Sequence, residues 1–126
     1  MNDGSVKTWD IRERTIEYAL RAIKLFQYIQ GQKDEASNII GKQYLRSATS
    51  IGANIQEAQS GESKPDFIHK LTIAQKEARE SLYWLRLLAK SNIVSSDRLN
   101  LLMQENEEII AIITAIIVKT KKRKSQ

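Results

Sequence analysis

Apolar side chains recur along this chain at intervals of three and four residues, in four long stretches separated by short polar segments, and not in the strict alternation of a strand. The first stretch predicts a helix from about Asp10 to Gln30. Ile11, Thr15, Tyr18, Ala22, Leu25, Phe26 and Ile29 share one stripe, while Arg12, Arg14, Glu17, Arg21 and Lys24 fall mostly elsewhere. Gly31 is a suitable stop. The second helix is expected to begin between Ser37 and Ile40, with Ser37 or Asn38 as capping oxygen, and to run to Ala58 or Gln59 before Ser60 and Gly61. Its stripe is Ile40, Tyr44, Ala48, Ile51, Ile55 and Ala58, and the small Gly41, Gly52 and Ala53 let another backbone approach closely.

The third helix opens at Ser63-Lys64-Pro65-Asp66, which resembles a capping box with proline in the first turn, and runs to about Lys90. Phe67, Leu71, Ala74, Ala78, Leu85 and Leu88 mark its buried side, and Lys76 can pair with Glu80 one turn on. The fourth starts at Ser95 or Ser96 and continues to about Lys121, with basic residues where the helix dipole favours them. Leu99, Leu102, Met103, Ile109, Ile110, Ile113, Ile116 and Ile117 suffice for a core. Leu101, Ile112, Ala115 and Val118 widen the apolar surface and are the candidate oligomer interface.

With one proline and five glycines, the fold class is all-α. Short connections predict an antiparallel up-down-up-down four-helix bundle, and the surplus apolar face of helix four predicts self-association. The run from Ile109 to Val118 spans roughly 15 Å, too short for a bilayer that takes about twenty residues, so no membrane partner is expected.

The chain has 126 residues, enough for one domain and one core but too few for two: a bundle over about 10–118 and a basic extension over 119–126. It has no cysteine, which excludes disulfide frameworks, thiolate metal sites and cysteine nucleophiles. With no secretory pattern in its polar first ten residues, the expected location is the cytoplasm. The net charge of +5 is carried by Lys119, Lys121, Lys122, Arg123 and Lys124, the rest of the chain being balanced. These five are candidate nucleic-acid contacts, against the simpler reading of a solvated, frayed end.

Helix two carries a polar line of Arg46, Ser50, Asn54 and Glu57, with Gln43 a turn earlier, made largely of short side chains that weaken helices. Arg46 and Glu57 stand roughly 16 Å apart along the axis and cannot pair with each other. They call for a network with Glu77, Arg79 or Glu80 of helix three, or across a subunit boundary, or for contact with a ligand or RNA. His69 is the only histidine; Asp66-x-x-His69 lacks the second such pair that a di-iron bundle needs, so neither metal nor other cofactor is expected. Tyr83-Trp84 beside Arg86 can stack on bases, but with no basic stripe alongside, the pair reads as packing or a subunit contact. No nucleophile, phosphate loop or convergent carboxylate pair accompanies Glu57, and an enzyme is not expected.

Asp10 to Thr15, the run Gln43 to Ala58, Phe67-Ile68 and the run Lys76 to Leu88 resemble the bacterial four-helix-bundle proteins named for open reading frames in ribosomal RNA intervening sequences. The same superfamily includes the accessory variability proteins of diversity-generating retroelements. The resemblance covers about Asp10 to Val118. It implies an antiparallel bundle assembled as a ring-like homopentamer with a central channel, and no enzymatic activity. For the retroelement branch it further implies that a strongly basic surface binds nucleic acid and a reverse transcriptase. The charge-balanced body of this chain favours the intervening-sequence branch. The expected function is a non-catalytic oligomeric bundle serving as an RNA-associated scaffold through its basic C-terminal extension, with a protein-binding adaptor for a reverse transcriptase as the alternative.

Overall fold

The computed structural model describes residues 4–60 and 63–123, with side chains from Ile11 onward. Four helices follow one another: α1 (Gly4–Gly31), α2 (Glu35–Gln59), α3 (Lys64–Lys90) and α4 (Ser96–Lys122). Each packs on its neighbours in sequence, and α4 closes back onto α1, giving the antiparallel four-helix bundle. No strand occurs among the described residues.

The core follows the apolar stripes. Ile11, Tyr18, Ala22 and Ile29 of α1 meet Tyr44, Ala48, Ile51 and Ile55 of α2. Leu71, Ala78, Leu85 and Leu88 of α3 with Leu99, Ile109 and Ile113 of α4 complete it, all essentially removed from solvent. Ile40, Phe67, Met103, Ile110 and Ile116 are only partly buried at its margin.

The helix boundaries depart from expectation for local reasons. Helix α1 begins at Gly4, six residues earlier than the apolar stripe indicates. Helix α2 begins at Glu35 because Asp34, not Ser37 or Asn38, is its cap: the Asp34 carboxylate accepts from the Ser37 N–H at 2.9 Å and the Ser37 hydroxyl at 2.7 Å. These two bonds hold that carboxyl below its ordinary pKa. The turn between α1 and α2 is made by Lys33, which takes the left-handed conformation (φ 57°), while Gly31 remains helical without a positive φ. Asn92 (φ 62°) does the same after α3, a conformation asparagine tolerates well. Ser63 caps α3 as expected, accepting from the Asp66 N–H at 3.2 Å. Gly61 lies outside the described residues.

The two helical glycines of α2 are not equivalent. A Cβ added to Gly41 would meet Ile29 and Phe26 at 3.4 Å, ordinary contact. One added to Gly52 would meet Thr15 Oγ1 at 3.1 Å and Thr15 Cβ at 3.2 Å, and that threonine is buried with its hydroxyl held by the Arg12 carbonyl. Because a Cβ cannot swing aside, α1 itself must shift. Gly41→Ala is therefore expected to stabilise by up to about 1 kcal/mol through helix propensity. In Gly52→Ala the same gain is overridden by overpacking, for a net loss of about 1 kcal/mol. Urea denaturation of the two variants checks this, and a Gly52→Ala protein more stable than Gly41→Ala would contradict it. Ala53, expected to assist close packing, is exposed.

Candidate functional site

Near mid-length of the bundle, each of the four helices contributes one polar side chain to a hydrogen-bonded cluster in the core: Tyr18, Tyr44, Ser81 and Asn106, every one fully buried. The Ala78 carbonyl can only accept, so the amide atom facing it at 2.8 Å is Nδ2 of Asn106, and Oδ1 is left to receive both hydroxyls. Tyr18 donates to that Oδ1 at 2.5 Å and Ser81 Oγ lies 2.6 Å from it. The Ser81 proton has a second acceptor in the Ala78 carbonyl at 3.0 Å and serves one at a time. With the Tyr18 proton committed to Asn106, Tyr44 donates to Tyr18 at 3.0 Å. The chain of donation thus runs one way, from Tyr44 through Tyr18 and Asn106 to the Ala78 carbonyl.

Burial pushes the Tyr18 phenol up to about 12, and burial together with the adjoining Tyr18 hydroxyl raises Tyr44 well above its ordinary value. The cluster contains neither carboxylate nor imidazole and is sealed from solvent. It can align helices, but it offers no base or nucleophile to a substrate. Sequence reasoning counted the tyrosines as core and passed over Ser81 and Asn106. The signal was there: Asn106 lies on the α4 stripe between Leu102 and Ile109, and Ser81 on the α3 stripe between Ala78 and Leu85.

The polar line of α2 lies along its seam with α3. Arg46 reaches Glu80 Oε2 at 2.6 Å and Glu77 Oε2 at 3.5 Å. Glu77 Oε1 is 3.2 Å from the guanidinium, within ion-pair distance but out of line for a hydrogen bond. Glu80 also accepts from the Trp84 indole N–H at 3.1 Å, and the Arg46 and Trp84 bonds hold its carboxyl below the ordinary value. Glu57 pairs with Lys70 at 2.8 Å, which lowers its carboxyl likewise. Ser50 and Asn54 turn inward on their own helix: Ser50 Oγ donates to the Arg46 carbonyl and Asn54 Nδ2 to the Ser50 carbonyl, both at 2.8 Å. Lys76 forms no ion pair with Glu80, whose Oε2 receives both Arg46 and Trp84; it acts on that carboxylate only through space.

At the C-terminal end of α4, Lys119, Lys121, Lys122 and Arg123 are all exposed; Lys124 lies outside the described residues. The helix continues to Lys122, so three of these charges stand on ordered helix rather than on a tail. The Lys64 ammonium donates to the Arg123 carbonyl and brings a further cation to the same end of the bundle. Of the candidate interface, Leu101 (67% exposed), Val118 (46%) and Ala115 are open, while Ile112 is half-buried against the core. A longer open stripe, passed over in the sequence, runs along α1: Ile16, Leu20 and Ile23 at helical spacing, opposite its buried side.

His69 is exposed, and no group of three or more potential metal ligands exists among the described residues. Trp84 is half-buried, whereas Tyr83, edge-on to it at 4.9 Å between ring centres, is 57% exposed. The premise that no basic stripe accompanies them is incorrect. Lys76, Arg79, Arg86 and Lys90 are exposed on the same outward face of α3, at spacings of three and four that sequence alone could have revealed. No described helix is long and apolar enough to cross a membrane.

A family model described as 23S rRNA-intervening sequence protein matches residues 7–115. The matched span includes all of α3 and stops before Lys119. Among solved structures, the chain is similar to a protein with unknown function from the S23 ribosomal protein family of Bacteroides thetaiotaomicron. The two are 37% identical, the alignment covers 89% of this chain and 98% of that one, and the TM-score is 0.84. No curated protein matches. Neither match indicates a catalytic family.

Proposed function

Because the chain belongs to the 23S rRNA-intervening sequence protein family, we propose that it is a non-catalytic, oligomeric bundle that works as an RNA-associated scaffold, touching phosphates with the basic end of α4. The observation that carries this reading is the exposed group Lys119, Lys121, Lys122 and Arg123, with Lys64 joined to the same end. Charges mounted on a helix are presented to a phosphate chain with less ordering cost than charges on a loose tail. The family's name, which refers to ribosomal RNA, favours RNA association. The reading takes bundle and basic extension as one unit. Self-association is supported by the open residues Leu101, Ala115 and Val118 of α4 and the Ile16, Leu20, Ile23 stripe of α1.

The test is a salt titration of binding to a single-stranded RNA, with the mass of the protein followed by light scattering. Each phosphate neutralised contributes about 0.7 to the log-log slope, so replacing Lys119, Lys121, Lys122 and Arg123 by glutamine is expected to lower the slope by up to about 3 per chain engaged. Equal affinity and slope for the substituted protein, or for a chain ending at Val118, would refute the reading. A monomer at micromolar concentration would remove its oligomeric part.

A further inference from the structure

The outward face of α3 carries Lys76, Arg79, Tyr83, Arg86 and Lys90 in one line, all exposed. The spacings of three, four, three and four residues keep them within one stripe about 21 Å long. Among the described residues, none of the four cations forms an ion pair within 4 Å. The carboxylates nearest in sequence, Glu77 and Glu80, face the α2 seam instead and are taken up by Arg46. The network that clasps α2 to α3 thus leaves the positive line without a direct ion pair, Glu80 acting on Lys76 only through space.

At its centre stands an aromatic ring whose position is braced. Glu80 holds the Trp84 indole, Trp84 meets Tyr83 edge-on at 4.9 Å, and more than half of Tyr83 stays open to solvent. Two guanidiniums flank it, Arg79 one turn before and Arg86 one turn after. We propose that this face of α3 binds single-stranded RNA, with Tyr83 stacking on a base and Lys76, Arg79, Arg86 and Lys90 tracking the phosphates on either side. A run of cations alone would suit any polyanion; the exposed ring between them selects one that also carries flat apolar groups at regular intervals. Duplex RNA keeps its bases stacked inward and offers the ring nothing. The proposal rests on the RNA-associated reading but assigns the contact to a second surface, on the C-terminal half of α3 and inside the span shared with the family.

The experiment measures binding of the full chain to fluorescein-labelled oligouridylate, to an RNA duplex of the same length and to polyglutamate, across a salt series. Four proteins are compared: wild type, Tyr83→Ala, Tyr83→Phe and Arg79→Gln/Arg86→Gln, beside the glutamine-substituted α4 end. Tyr83→Ala is expected to weaken oligouridylate binding about tenfold with an unchanged salt slope, and Tyr83→Phe to stay within about twofold. Arg79→Gln/Arg86→Gln lowers the slope by about 1.4. Duplex binding is insensitive to Tyr83. If oligouridylate binding depends on the α4 end while the α3 variants bind as wild type, this proposal falls and the α4 reading stands; the reverse pattern sinks the α4 reading alone. Polyglutamate bound as tightly as RNA, equal sensitivity of duplex and single strand to Tyr83→Ala, or no RNA binding by the wild type each overturns the proposal. All the substituted side chains are exposed, and equal urea midpoints verify that the fold is intact.

Discussion

Asn106→Ala is expected to cost the bundle about 3 kcal/mol, far more than an exposed asparagine on the same helix would. The substitution removes the one group that both accepts from Tyr18 and donates to the Ala78 carbonyl. Ser81 can turn its proton to Ala78, 3.0 Å away, and is largely compensated. Tyr18 loses its acceptor beside a new cavity in the core, and recovers one only by moving its hydroxyl onto Ser81 Oγ, the other side chain that bonds its phenol. An unmade bond at a buried donor costs about 1–3 kcal/mol, and the void and the lost amide bond add to it. The signature is non-additivity. Tyr18→Phe alone orphans the Tyr44 hydroxyl in turn and costs about 2 kcal/mol, yet the double variant holds one unpaired donor where the two single variants hold one each, so it loses about 1 kcal/mol less than the sum. Urea denaturation of the four-protein cycle checks this. Strict additivity, or a loss below 1 kcal/mol for Asn106→Ala, would show that the four side chains do not act as a connected network.

The fold was legible in the sequence because it depends on a pattern long enough to survive local error. Four stripes at helical spacing placed Ile11, Tyr18, Ile51, Leu71, Leu85, Ile109 and Ile113 in the core, where they are. The details that failed were those decided by single atoms. Asp34 rather than Ser37 caps α2 because the carboxylate reaches two donors at once. Lys33 rather than Gly31 turns the chain, since the hydrogen bonds from Gln32 to Ile29 and from Lys33 to Gln30 carry the last turn past the glycine. The partners of Arg46 were within reach of sequence reasoning, as α3 had to lie beside α2; which carboxylate it grips depends on where Trp84 holds Glu80.

The candidate site was read less completely, and for two different reasons. Asn106 and Ser81 sit on apolar stripes, where a polar residue looks like an interruption until its partners on other helices are seen. The α3 face was hidden by arithmetic: Glu77 and Glu80 cancel two of its cations in a charge count but not in space, because they point into the seam with α2. Net charge directed attention to the C-terminal end of α4, whereas the cations of α3, a helix that is itself net positive, are offset in the count by acidic residues elsewhere in the chain. The matched family span, residues 7–115, contains the α3 face and stops short of Lys119 to Arg123.

Alkali is expected to undo the bundle through the same buried cluster. Tyr18 is a neutral acid whose folded pKa lies above its ordinary value, about 12 against 10.0, so the native state holds its proton more tightly than the unfolded chain does. Its stabilisation is therefore complete below about pH 10, declines by about 1.4 kcal/mol per pH unit above it, and is lost by about pH 12. That amounts to about 3 kcal/mol from Tyr18, and Tyr44, raised in the same direction, adds to the loss from about pH 10 upward. The physical cause is double: the phenolate would be stranded without solvent, and it would face Asn106 Oδ1 with no proton between two acceptors. Lysines also lose charge in this range, so the measurement is the difference between wild type and Tyr18→Phe/Tyr44→Phe, in which their titration cancels. That difference should be flat up to about pH 10 and then move against the wild type by more than about 3 kcal/mol by pH 12, the Tyr18 share plus what Tyr44 adds. A difference that stays constant over the whole range would mean that the two phenols ionise as readily folded as unfolded, which a sealed, directionally bonded pair does not allow.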